Sequence, residues 1–171
     1  MKKAIAVSIV ALVLLVTVGF FVTRAEAETL RYKIIAYITK MEMVPVPDVE
    51  NHVVAVGERR GVAIFESGET AAYHMWFTGE SIGGQGGAYR GYSRLSFADG
   101  STSMIKWEAT QTGEKLYSGK GTGEYIKGTG RFEGIKGNVS FTYKLLTPYT
   151  KDETKGDQIV EATATYTLPK K

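Results

Sequence analysis

The sequence predicts an all-β fold, an antiparallel barrel of about eight or nine strands, placed after an export signal. Three observations predict it. Short runs rich in β-branched and aromatic residues alternate at period two. Gly, Pro and Asp-Gly turn signals separate them at short intervals. From residue 28 onward, no stretch carries the 3.6-residue apolar period of a helix.

The first residues are of another kind. Lys2 and Lys3 precede an apolar run from Ala4 to Val22, and Ala25-Glu26-Ala27 follows Arg24. A basic start, an apolar stretch and an A-x-A site make the pattern of a secretory signal. The expectation is cleavage after Ala27, a single domain over 28–171, and a periplasmic or secreted location. A retained anchor is the alternative, because the run is nearly long enough to cross a bilayer. Intact-mass analysis of the exported protein checks this: a chain beginning at Glu28 is expected, and a retained Met1 contradicts it.

Composition bounds the function. The full chain of 171 residues has a net charge of +3. Three of its 21 basic and one of its 18 acidic residues lie in the signal, which leaves a net charge of +1. No basic stripe remains for a nucleic acid, and after cleavage nothing is left to hold a membrane. No cysteine is present, so no disulfide supports the fold in an oxidising compartment.

The elements follow in order. Leu30 to Met43 puts Leu30, Tyr32, Ile34, Ala36 and Ile38 on one face and Arg31, Lys33, Ile35, Tyr37 and Thr39 on the other. Pro45 and Pro47 end it, since proline donates nothing to a ladder. His52 to Val56 and Gly61 to Glu66 are two short runs; Ser67-Gly68 then turns the chain into Thr70 to Thr78. Gly79 to Gly87 contains five glycines and reads as a mobile loop able to gate a barrel mouth. Ala88 to Phe97 and Ser101 to Thr110 flank Asp99-Gly100, the strongest hairpin signal in the chain. Leu116 to Ile126, Gly137 to Leu146 and Gln158 to Leu168 complete the set, with a polar loop at Tyr149 to Gly156. A sheet of that many strands closes or splits, which removes its exposed edges, and a barrel of about eight leaves a lumen either filled or able to hold one small ligand.

The segment from Gly121 to Gly137 resembles the signature of the allene oxide cyclase and dirigent barrels, in which a strand ends in G-T-G-x-F-x-G-x-x-G. Here the matching residues are Gly128, Thr129, Gly130, Phe132, Gly134 and Gly137. The resemblance covers roughly Tyr89 to Leu146, including the hairpin at Phe97 to Ser101. It implies an eight-stranded antiparallel barrel with an apolar lumen, often a trimer. Relatives close a ring in an unstable epoxide, orient phenoxy radicals or quinone methides, or cyclise polyketides, so the resemblance implies no cofactor and no metal. Physically the motif reports fold: Gly128 and Gly130 suit positive φ, Gly134 and Gly137 suit a bulge or close strand approach, and Phe132 suits a plug at one barrel end.

No motif for nucleophilic, phosphate or zinc chemistry is present, and two histidines, His52 and His74, are a poor basis for a transition-metal site. The candidate site rests on aromatic and ionisable residues in the barrel wall. On Tyr73 to Phe77, Tyr73, Met75 and Phe77 share one face and His74 and Trp76 the other. Were the polar faces luminal, Glu108 or His74 would be the acid or base, and Tyr92 or Arg94 would stabilise negative charge. The alternative is that Arg94, Lys106 and Glu108 form a solvated outer face of cross-strand pairs. Tyr73, Trp76, Phe77, Trp107 and Tyr143 are candidates to hold a hydrophobic ligand of the phenolic or polyketide-like class. Three functions stay open: a cofactor-independent cyclase, isomerase or lyase; a carrier of a hydrophobic small molecule; and a structural protein with a filled lumen. Ile35, Tyr37 and Tyr143 cannot all face one narrow lumen, so a homo-oligomer, a trimer by resemblance, is expected.

Overall fold

The computed structural model describes residues 26–83, 86–112, 118–147 and 156–170; all but the last two residues of the expected signal peptide lie outside them. Eight strands form a closed antiparallel barrel in simple sequence order. They are β1 (Glu28–Pro45), β2 (Val53–Phe65), β3 (Thr70–Ser81), β4 (Gly86–Phe97), β5 (Thr102–Thr112), β6 (Ser118–Thr129), β7 (Lys136–Leu145) and β8 (Gln158–Thr167). β1 closes the ring on β8, with Ile34 opposite Val160. β1 begins at Glu28, the residue after the expected cleavage point, and the Tyr166 hydroxyl donates to the Glu28 carboxylate at 2.7 Å.

Period-two patterning decides which face is in. Tyr32, Ile34, Ala36 and Ile38 are buried, while Ile35 and Tyr37 between them are about half exposed, 52% and 53%. A bulge between Ile38 and Lys40 shifts the register once. Two short runs expected before Glu66 are one strand, β2. The Glu58-Arg59-Arg60 triplet hides this continuity, because three charged residues in a row mask an alternation in which Arg59 alone points inward and is buried.

The loop expected over Gly79 to Gly87 is mostly strand: Gly79 ends in β3, and Gly86 and Gly87 begin β4. Residues 84–85 lie outside the described residues. Gly79, Gly86 and Gly87 serve close approach between strands. A Cβ on Gly87 would fall 1.6 Å from the Glu80 carbonyl, and one on Gly79 would fall 2.0 Å from the Tyr89 ring. The polar loop before Gly156 and the start of the run at Leu116 also lie outside the described residues.

One barrel end is closed by rings. The connection from β6 to β7 is a 3₁₀ turn, Gly130–Phe132, entered through Gly130 at φ 61°. It drives Phe132 into the barrel end, 4.9 Å from Phe97 and 6.4 Å from Tyr166 between ring centroids. Phe97 continues the stack to Phe65 and Tyr32. Outside the plug, the Arg131 guanidinium sits 4.5 Å from the Phe97 ring and 4.9 Å from the Phe132 ring and bonds Glu69 at 2.5 Å. The hairpin at Asp99-Gly100 forms as expected, with Gly100 at φ 81° and the Asp99 carboxylate accepting from the Ser101 amide and hydroxyl. Gly128 departs from expectation: its φ is ordinary, and it is needed because the Phe132 carbonyl would lie 2.0 Å from a Cβ.

Candidate functional site

The lumen between the plug and the opposite end retains a cavity of about 70 Å³. One water needs about 10–15 Å³ of such space, so the cavity matches a few waters or one small ring. It survives because the large side chains lie flat against the wall. Trp107 of β5 has a glycine as its cross-strand neighbour on both sides, Gly91 of β4 and Gly123 of β6. A Cβ at Gly91 would come within 2.8 Å of the indole. The same device recurs. A Cβ at Gly57, Gly119 or Gly121 would overlap the rings of Phe77, Tyr143 or Phe141, respectively. The glycines at alternate positions of β6 thus make room for rings of β5 and β7 instead of forming turns.

The lining is apolar with a small polar set. Arg59 is 2% exposed. Its guanidinium bonds the Gly156 carbonyl and lies 5.8 Å from the Phe77 ring. The Tyr73 hydroxyl reaches Met75 Sδ at 3.0 Å and Ser93 Oγ at 3.4 Å, and the Tyr143 hydroxyl donates to Gln111 at 3.2 Å. Burial pushes the Tyr73 and Tyr125 phenols up to about 12 and raises Tyr32 well above 10. These groups are neutral donors at physiological pH, not bases. Among the described residues lining the cavity, Arg59 is the cationic group and no carboxylate or imidazole is present. The set can hold an apolar molecule and stabilise an electron-rich oxygen; it supplies no base to withdraw a proton.

Of the residues expected to bind ligand, Tyr73, Phe77, Trp107 and Tyr143 line this cavity. Trp76 does not. It projects from the outer wall and stacks on His74 at 3.8 Å. The residues expected to be catalytic, Glu108, His74, Arg94 and Tyr92, also occupy outward positions. The correction follows from register: Tyr73 and Met75 are the buried partners of β3, so His74 and Trp76 must face away. His74 Nε2 lies 2.8 Å from Glu58, and Glu58 also takes Arg60 at 3.1 Å. That network lowers the Glu58 carboxyl, chiefly through Arg60. It is a solvated outer face of cross-strand pairs, and it cannot touch a luminal ligand. Arg59 is not legible in the sequence, where it reads as part of a charged run.

A second cluster lies where β1 turns into β2. His52, itself buried, is held by Asp48 at 2.5 Å on Nδ1 and by Glu80 at 2.8 Å on Nε2. The bond to Asp48 first, then that to Glu80, raises the imidazole above its ordinary 6.5. The His52 bond likewise lowers Asp48 below 3.8. For a raised imidazole, the stabilisation is complete below the unfolded value and disappears as pH climbs through the folded one. For the lowered carboxyl it is lost in acid. Melting temperature is therefore expected to hold through mildly acidic pH and to decline above about 6.5. His52→Gln should remove that decline; a variant with the same alkaline slope as the native chain contradicts the assignment.

Two solved structures share this architecture. A pterocarpan synthase dirigent protein is 19% identical with a TM-score of 0.53, and the match covers 90% of this chain and 96% of that one. Another pterocarpan synthase dirigent protein is 16% identical with a TM-score of 0.50, covering 85% and 97%. At such identities the likeness is one of fold. No sequence-family model and no curated protein matches the chain.

Proposed function

We propose that this chain, a dirigent-like barrel in its fold, binds a small hydrophobic molecule in its lumen, of the one-ring or phenolic class. The observation that carries the reading is the aromatic-lined cavity with one buried guanidinium. A barrel filled only for stability would close the space beside Arg59, since voids forfeit contacts. An oxygen-bearing ring fits both features: rings meet the aromatic wall, and the oxygen meets a donor. The dirigent proteins of similar fold are pterocarpan synthases, which supports an oxygenated aromatic class. A cofactor-independent conversion would use Arg59 to stabilise charge on that oxygen.

The test is native mass spectrometry of the exported protein together with solvent extraction. A co-purifying organic molecule at one per chain is expected. Trp76→Phe leaves Trp107 as the single tryptophan, and its emission should be quenched saturably by phenol. Absence of both a bound molecule and quenching overturns the reading.

Export and self-association belong to the same proposal. Ile35 and Val62, paired across β1 and β2, are 52% and 47% exposed, with Ile64 at 44% and Tyr37 at 53% nearby. Such an apolar outer face supports contact with further copies of this chain. Light scattering at micromolar concentration should give a homo-oligomer, a trimer; a monomer overturns this part.

A further inference from the structure

Trp107 carries a polar atom that the rest of the lumen does not use. The residue is 8% exposed, and its indole Nε1 is buried with no hydrogen-bond partner among the described residues. An indole N–H is a donor only. In the folded chain it forfeits the bond it made to water unless an acceptor reaches it. Of the polar groups that share the lining, Ser93 accepts from Tyr73 and Gln111 from Tyr143, and none bonds the indole. Gly91 leaves room for this ring, since a Cβ there would lie 2.8 Å from it, and Gly123 is the neighbour of Trp107 on the other side. A phenylalanine there would fill a similar shape without a buried donor.

We propose that Trp107 Nε1 is the specificity-determining donor of the lumen, and that the bound molecule presents a carbonyl-type acceptor oxygen to it. This rests on the luminal binding proposed above and narrows its ligand class. The molecule is distinguished from a hydrocarbon of equal shape by one hydrogen bond in an apolar-lined site, where an unmatched donor is penalised.

The test uses the exported chain and two isosteric probes, cyclohexanone and methylenecyclohexane, which differ by C=O against C=CH₂. Calorimetric titration should show cyclohexanone binding about tenfold more tightly to the native protein. Trp107→Phe should bring the two probes to within about twofold. A second readout does not need that variant. In ¹⁵N-labelled Trp76→Phe protein a single indole resonance remains, and cyclohexanone should move its proton downfield while methylenecyclohexane should not.

Equal binding of both probes to the native protein, with no selective movement of the indole proton, overturns the inference and leaves luminal binding standing. Failure of both probes to bind, together with no co-purifying molecule and no quenching by phenol, removes the luminal reading and this inference with it. Preference for the ketone that persists in Trp107→Phe assigns the donor elsewhere, and also overturns it.

Discussion

Phe132→Ala should lower the stability of the barrel by about 3–5 kcal/mol, the range for truncating a buried phenylalanine to alanine. Phe132 is buried at the closed end, and three terms add. The ring's transfer energy is lost. A void opens between Phe97 and Tyr166, whose rings are held at 4.9 and 6.4 Å from it. The Arg131 guanidinium loses one of its two aromatic faces. The site cannot collapse easily, because the surrounding strands are fixed by a closed ladder. For a domain of this size the melting temperature should fall on the order of 10 °C or more. Thermal denaturation followed by circular dichroism checks it. Phe132→Leu, which keeps most of the volume, should recover more than half of the loss. A fall of only a degree or two in Phe132→Ala would mean that the plug contributes little.

The second large effect is expected at Gly91. A Cβ placed there would lie 2.0 Å from the Trp76 carbonyl oxygen and 2.9 Å from the Phe77 Cα, besides pressing on the Trp107 indole. The first two are backbone atoms of the adjacent β3, so no rotamer relieves them. Overpacking costs about 1–3 kcal/mol and occasionally more, and Gly91→Ala should fall at the top of that range, with Gly91→Val failing to fold. Gly123→Ala is the contrast. Its nearest atom, the Lys106 carbonyl, would lie at 2.9 Å and the next at 3.1 Å, so the loss should be smaller by roughly half. Chemical denaturation of the two alanine variants measures the difference, and equal stabilities would show that glycine at 91 is not demanded by close approach.

The sequence by itself determined the architecture. Alternation in Leu30 to Ile38 names the inward face of β1 because side chains on a strand point to opposite sides residue by residue. Asp99-Gly100 marks its hairpin because only residues tolerant of positive φ make that turn. The run from Gly128 to Gly137, with Phe132 within it, marks the plugged end. These are local properties, fixed within a few residues of chain.

What only the tertiary structure decided is which residues meet inside. In β3 the sequence offers two aromatic faces, Tyr73 with Phe77 and His74 with Trp76, and both alternate correctly; the barrel's closure selects the first and turns His74 and Trp76 outward. The same choice in β4 and β5 puts Tyr92, Arg94 and Glu108 outside. Arg59 shows the converse. Flanked by Glu58 and Arg60 it reads as solvated, yet it is buried and bonded to Gly156, 97 residues further along the chain. The glycines of β6 look like turn formers until Trp107, Phe141 and Tyr143 are set beside them on neighbouring strands. A glycine's role as space for another residue's ring is a relation between strands, and period-two patterning within one strand carries no information about it.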